Sequence, residues 1–261
     1  QEAGEWARSH ADGKGATNIW APYIIPFGDK YRLYYCVSAF GLKTSYIGLA
    51  ESASPEGPWM QRGCVVKTDA TSVMNAIDPS IIADSATGKW WMHYGSFFGG
   101  LYCVELNPET GLPVQEGDQG HLIARRATYW KDNLEAPEII YNPELKQYYL
   151  FVSYDPLMTT YNVRVGRSDK AEGPFVDYFG VELKDTTNNF PILTAPYRFN
   201  NHPGWAGTAH CAVFTSDEGQ YFMAHQGRLS PHNQMMDLHL RQVFFTSDGW
   251  PVVSPERYTG S

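Results

Sequence analysis

Several features are scarce in this chain. Its 261 residues include only four cysteines, Cys36, Cys64, Cys103 and Cys211. They are widely spaced, with no CxxC pair and no histidine at ligand spacing, which excludes a structural zinc site and a dense disulfide framework. Cys36 and Cys103 fall inside apolar, strand-like runs, so buried free thiols are expected. No segment reaches the length of about 18 consecutive apolar residues that a membrane-spanning helix needs. Charged residues make up only 18% of the chain, the formal net charge is −8, and no Lys/Arg cluster interrupts it. Nucleic acid and anionic membrane therefore have no electrostatic basis as partners. Sustained 3.6-residue periodicity is also missing, so helix should be scarce. The amino-terminal stretch QEAGEWARSH lacks the basic-then-apolar build of a signal peptide.

What is abundant is aromatic. Tyr, Phe and Trp make up 15% of the residues, within a hydrophobic fraction of 43%. Such a load suits β-structure, and also surfaces that stack against sugar rings, since both use flat apolar faces.

The chain also repeats itself. WAPYIIPFGDKYRLYYCVSAF starts at Trp20, IDPSIIADSATGKWWMHYGSF at Ile77 and EAPEIIYNPELKQYYLFVSYD at Glu135. Each passes from an Ala/Asp–Pro step through two isoleucines and a polar turn into an aromatic strand. Pro22, Pro79 and Pro137 stand 57 and 58 residues apart, and Gly57 and Gly173 are separated by two periods. A fourth, weaker copy begins at TAHCAVFTSDEGQYFMAHQGR. Gly, Asp, Asn and Pro turns cut each copy into four short strands. Four-stranded units at this period predict the blades of a β-propeller. The whole of 1–261 is expected to be one all-β propeller domain. One period before Pro22 falls ahead of Gln1, so either the propeller has four blades or a first blade lies largely outside these residues.

In a propeller the first strands of the blades line a central channel, and the repeat starts converge on one of its mouths. The four copies deliver Trp20 and Ala21, Ile77 and Asp78, Glu135 and Ala136, and His210. Asp before proline is a common turn former, so Asp78 alone is as readily structural as chemical. Glu135 favours neither turn nor strand and has a weaker structural reason to be there. His210, ahead of an apolar strand, also fits a core histidine. Glu138, an odd step from Glu135 in a strand, is expected to face the other way and stay out of the chemistry. His225 is expected to be structural.

Together, WAP, NAIDPSII, GSFFGG and LEAPEIIY, in this order and spacing, resemble glycoside hydrolase family 43, and within it the five-bladed endo-1,5-α-L-arabinanases that cut plant cell-wall arabinan. The stretch LHLRQVFFTSDGWPVVSPERY is similar to arabinanases that carry an additional β-barrel domain after the propeller, a domain not expected within these residues. The resemblance implies an inverting hydrolase, in which an acid protonates the leaving oxygen and a base activates water on the opposite face. By motif, Glu135 would be the general acid and Asp78 the residue that orients it and keeps its pKa high. The base, an Asp in a DP motif on the first blade, has no counterpart here; Glu2, Glu5 and Asp12 do not fit the pattern. Trp20, Phe40, Asn75, Ser96 and Phe98 occupy positions that line the substrate cleft, with Phe98 where many relatives have Trp.

The resemblance makes His210 a ligand of an axial ion, calcium or in some relatives sodium, with water filling the remaining positions. It further implies a monomer acting on arabinan oligosaccharides, without nucleic-acid or membrane partners, in a secreted or periplasmic setting. Two alternatives stand beside the endo-arabinanase. One is an exo-acting α-L-arabinofuranosidase or β-xylosidase of the same family. The other is a non-catalytic arabinan-binding propeller, suggested by the missing base.

Overall fold

The computed structural model describes residues 18–126, 130–198, 201, 203–230 and 235–260. Glu2, Glu5 and Asp12 lie outside the described residues. Four antiparallel sheets follow one another along the chain. The first contains β1 (Asn18–Phe27), β2 (Lys30–Ser38), β3 (Ser45–Ser52) and β4 (Met60–Thr68). The second contains β5 (Ser80–Ala83), β6 (Trp90–Tyr94), β7 (Leu101–Leu106) and β8 (His121–Ala124). The third contains β9 (Leu134–Asn142), β10 (Gln147–Tyr154), β11 (Asn162–Ser168) and β12 (Ile192–Thr194). In the fourth, β13 (Trp205–Ala206) and β14 (Ala212–Thr215) share one edge of β15 (Tyr221–Leu229), which continues to β16 (Asp237–Phe245) and β17 (Pro251–Val253). Helix among the described residues is limited to a 3-10 turn at Trp130–Asp132.

The leading strands sit side by side, β1 against β5, β5 against β9 and β9 against β14. This is the blade arrangement of a propeller, and the repeated motifs mark its leading strands as the sequence predicts. Each pair of neighbouring sheets encloses its own core. Tyr34, Cys36 and Leu49 pack on Ile81, Met92 and Val104 between the first two sheets. Trp91 and Leu101 meet Ile139 and Leu150 between the second and third, and Phe151 and Val163 meet Met223 and Val243 between the third and fourth. The two-residue alternation of a strand produces this pattern: along β2, Arg32, Tyr34 and Cys36 are all fully buried. Arg32 also ties the first two sheets together, pairing with Glu51 at 3.1 Å and donating to the Pro108 carbonyl at 2.6 Å. All four cysteines are free thiols.

The leading strands share one irregularity. Ala21 (φ 23°), Asp78 (φ 56°), Ala136 (φ 52°) and His210 (φ 54°) all have left-handed backbone, and proline follows the first three. Proline disfavours the right-handed helical region for the residue before it, so the chain must leave the strand path by another route. In β1, Trp20 pairs with Cys36 but Tyr23 with Tyr34; in β9, Glu135 pairs with Ser153 but Glu138 with Phe151. Three residues on one strand thus span two on its partner, which is a β-bulge. The expectation for Glu138 is therefore corrected. Ser153 and Phe151 lie on one face, so Glu135 and Glu138 do too, because the bulge absorbs the odd step.

Glu138 is buried and joins three leading strands. Its Oε2 accepts the Ser80 hydroxyl of β5 at 2.8 Å, and its Oε1 accepts the Val213 N–H of β14 at 3.1 Å. Burial nevertheless pushes its carboxyl up to about 7, against the two hydrogen bonds that favour the charged form. A carboxyl raised in the folded state stabilises the protein below its unfolded pKa, here near 4.5, and loses that contribution as pH rises through 7. Gln at this position keeps one acceptor and one donor and stays neutral. Glu138→Gln should therefore gain on wild type by on the order of 2–3 kcal/mol between about pH 4.5 and pH 8. Urea melts of both proteins across that range measure the difference, and parallel stability curves would refute the assignment.

Candidate active site

The four left-handed residues, Ala21, Asp78, Ala136 and His210, line one axial cavity of about 440 Å³. In β1 and β9 a bulge accompanies the left-handed residue, and all four residues border the same cavity. Blade two thereby supplies a carboxylate and blade four an imidazole from equivalent places. Glu135 precedes the bulge of β9 by one residue, at the position that Trp20 holds in β1.

Both oxygens of Glu135 are held. Ser96 donates its hydroxyl to Oε2 at 2.8 Å and Tyr161 donates to Oε1 at 2.7 Å. Hydrogen bonds to a charged acceptor contribute about 1.5–3 kcal/mol each, so the pair fixes the carboxyl rotamer firmly. Tyr161 is fully buried, and burial together with the charge of Glu135 pushes its hydroxyl well above the ordinary range, so it keeps its proton and remains a donor. Behind it, Ser153 accepts the His210 N–H at 2.9 Å, fixing the blade-four kink against blade three.

Asp78 is 6% exposed, and its Oδ2 accepts the Ala136 N–H at 3.1 Å. The acid of one kink therefore anchors the next. Its carboxyl is pushed well above the usual range, by burial first and by the charge of Glu135 second, with the Ala136 bond opposing. A carboxyl beside another carboxyl ionises less readily, so Asp78 binds its proton more tightly than an ordinary aspartate. The site thus sets a proton-retaining carboxyl beside one gripped by two hydroxyls.

The other residues singled out in the sequence fall into two groups. Ser96 and Phe98 belong to a contorted loop in which Gly95, Phe97, Phe98, Gly99 and Gly100 all have positive φ. Its shape is enforced: a Cβ on Gly99 would stand 1.8 Å from the Val73 carbonyl oxygen. Phe97 N–H donates to Leu134 O at 2.8 Å and Gly99 N–H to Asp132 Oδ2 at 2.9 Å, binding the loop to the start of β9 beside Glu135. The Lys131 ammonium lies 4.7 Å from the centre of the Phe98 ring. Trp20 is half-buried and packs against the core between the first two sheets. Asn75 is buried, its carbonyl accepting the Ser45 hydroxyl. Phe40 is 87% exposed on the turn after β2. His225 also lines the axial cavity, its Nδ1 bonded to the Gln226 carbonyl at 2.6 Å.

Sequence reasoning missed Tyr161, which follows a turn and precedes β11 rather than opening a repeat. It also missed Asp132, whose carboxylate braces the loop and pairs with Arg125 at 3.3 Å. Neither carries a motif signal.

His210 opens onto the cavity, and the enclosing protein lowers its pKa, with Glu135 opposing, so the imidazole is neutral and free to ligate. Among the described residues no group of three or more His, Cys, Asp or Glu could hold a metal ion. The donor set therefore fits an ion that keeps most of its water, and does not fit a dehydrated transition metal.

The family model described as Glycosyl hydrolases family 43 matches residues 5–251. The chain is 31% identical over its full length to the extracellular endo-α-(1→5)-L-arabinanase of Thermotoga petrophila, covering 60% of that protein. It is 32% identical, over 90% of its length and 70% of the relative's, to the extracellular exo-α-(1→5)-L-arabinofuranosidase ArbA of Cellvibrio japonicus. The crystal structure of the endo-1,5-α-L-arabinanase from Thermotoga petrophila RKU-1 superimposes with a TM-score of 0.89 at 29% identity, over all of this chain and 64% of that one. The chain thus spans about 60% of the length of the endo-acting relatives it matches.

The placement of Asp78 yields a test of its ionisation. An acid whose pKa is raised by folding weakens the fold as pH climbs above its ordinary value near 3.8. Asn can still accept the Ala136 N–H and carries no charge. Asp78→Asn should therefore melt several degrees above wild type near pH 8, with the gap closing below about pH 4. Scanning calorimetry at the two pH values decides the matter; a variant that melts lower at both would show Asp78 to be an ordinary charged cap.

Proposed function

This chain belongs to glycosyl hydrolase family 43, and from that premise we propose that it hydrolyses the α-1,5-linked L-arabinofuranosyl bonds of arabinan, within the chain and with inversion. The observation that carries this reading is Glu135, gripped by Ser96 and Tyr161 beside the buried Asp78 at the mouth of the axial cavity. In the proposed mechanism Glu135 protonates the departing sugar oxygen, and its new charge is met by the two hydroxyls already aimed at it. Asp78 holds the strand that carries Glu135 in register through the Ala136 N–H. Trp20 and Phe98 offer flat faces to arabinose rings at the mouth, and Phe40 extends that surface outward. Asn75 and Ser96 shape the wall behind them.

The water-activating base would stand about 6.5–9.5 Å from Glu135 across the sugar. It is proposed to come from a fifth sheet seated between sheets four and one. Supporting this, Ile19 and Ile24 on the first sheet and Phe214, Leu238, Phe244 and Val252 on the fourth are 45–79% exposed on the faces opposite the cores. Isolated apolar residues at a surface are ordinary, but two aligned rows facing away from the described cores form an uncovered packing surface. His210 would hold a hydrated calcium or sodium ion in the cavity it shares with Asp78, and the ion would supply positive charge there. Residues 1–261 would act as one catalytic domain, and the relatives named as extracellular support secretion. No helix among the described residues is long and apolar enough to cross a membrane. A monomer suffices for this chemistry.

Reducing ends released from linear arabinan test the assignment. Glu135→Gln should lower turnover by about a thousandfold, within the usual range for removing a general acid. Full activity in that variant would sink the role of Glu135. Endo action should lower viscosity well before sugar is released in quantity; steady release of arabinose or short products without that fall would favour the exo-acting alternative. Tyr161→Phe removes one of the two donors and should cost about 10–100-fold on arabinan. The loss should be much smaller on an aryl arabinoside, whose leaving group needs little protonation. Equal losses on both substrates would make Tyr161 merely structural.

A further inference from the structure

At the opposite end of the strands from Glu135, the foot of sheets three and four carries a second arrangement suited to a ligand. The loop between β11 and β12 turns outward and exposes Tyr178 (51%), Phe179 (70%) and Phe190 (40%). Phe179 stands nearly perpendicular to both neighbours, with ring centres 5.5 Å from Tyr178 and 5.9 Å from Phe190. Tyr178 in turn lies 5.5 Å from Trp250, and the Arg167 guanidinium covers Trp250 at 4.4 Å. Arg167 then forms part of a surface cavity of about 630 Å³ between the ends of sheets three and four. Three exposed rings therefore adjoin a buried indole, which Arg167 covers at the edge of the recess.

The recess is polar without a dominant sign. Arg167 and Lys170 face Asp169 and Asp248, with Gln147 and Ser168 among the lining groups. Its walls are set by local bonds: Gln147 donates its amide to Asp169, and Arg167 donates to the Asp248 carbonyl at 2.8 Å. Gly249, at the turn beside Arg167, takes a left-handed backbone (φ 81°) that glycine adopts without strain. A strongly charged partner has no matching field here, and a lipid surface would bury the paired charges unfavourably. A neutral polyhydroxyl chain matches both parts, its C–H faces on the rings and its hydroxyls on the balanced donors and acceptors.

We propose that this strip and recess form a second binding site for a neutral glycan, namely a remote segment of the same arabinan chain that the axial site cleaves. The ligand identity rests on the proposed function; the existence of the site rests on the rings and the recess. A polymer engaged at both places gains effective concentration at the axial site, whereas a short oligosaccharide fills one place only.

The test pairs Tyr178→Ala/Phe179→Ala with wild type. In the Glu135→Gln background, affinity electrophoresis through gels containing linear arabinan should show at least a fivefold loss of retention for the double variant. In the otherwise wild-type background, KM for polymeric arabinan should rise about 3–10-fold while turnover of a short arabino-oligosaccharide stays within twofold. Lys170→Ala/Gln147→Ala, which alters only the recess, should weaken retention in the same direction and guards against a folding defect in the first variant. Unchanged retention in both variants, with short oligosaccharides still cleaved by wild type, overturns the second site and leaves the proposed function standing. Absence of cleavage and of retention in wild type overturns both. Self-association that the ring substitutions abolish, with glycan retention intact, would assign the strip to a second copy of the chain and overturn the proposal.

Discussion

The site depends on one backbone event repeated four times. At Ala21, Asp78, Ala136 and His210 the chain turns left-handed in or just ahead of the leading strand, with a bulge in β1 and β9 and proline following in three of the four cases. Residues other than glycine resist this region, and each such position costs about 1–3 kcal/mol. The cores between the sheets offset that strain and leave four side chains directed at one axis. Alanine at two of the four positions suffices for the kink, so the carboxylate and the imidazole at the other two are additions to a shape that exists without them. Asp78 shares its backbone with the other three and differs from them in the carboxyl it brings to the cavity.

The same bulge explains why two glutamates on one face of β9 take different roles. Glu138 is bonded to a backbone N–H of the fourth sheet and to a serine that itself accepts the Ile139 N–H at 3.1 Å. Its partners cannot rotate away, so its carboxyl closes the ring of leading strands and has nowhere to send a proton. Glu135 is bonded instead to two side-chain hydroxyls, of Ser96 and Tyr161, and is only half-buried. Burial raises the carboxyls of Asp78 and Glu138 alike, and it is the kind of partner that separates Glu135 from Glu138.

Much of this was legible in the chain because it repeats. The proline spacing, the Ile–Ile pairs and the aromatic strands identified four blades, and the non-repeating residues at the repeat starts identified Asp78, Glu135 and His210. What escaped was set by geometry that periodicity does not encode. Counting an odd step between Glu135 and Glu138 assumed an even pleat, and the bulge invalidated the count. Tyr161 and Asp132 lie outside the repeat starts and reach the site only because β11 and the turn before β9 pass beside it. Asn75 and Phe40, both assigned to the cleft by motif position, differ widely in exposure, the first buried and the second standing out in solvent.

The packing between the sheets connects stability to the ionisation of Asp78. Its high carboxyl arises first from desolvation, and inter-sheet cores enclose it where the described sheets adjoin. Ile19 and Ile24 on the first sheet and Phe214 and Phe244 on the last are exposed, and anything that covers them removes apolar surface from water at roughly 25 cal/mol per Å². Asp78 is only 6% exposed with those rows uncovered, so the enclosure that raises its carboxyl is already supplied by the packing between the described sheets.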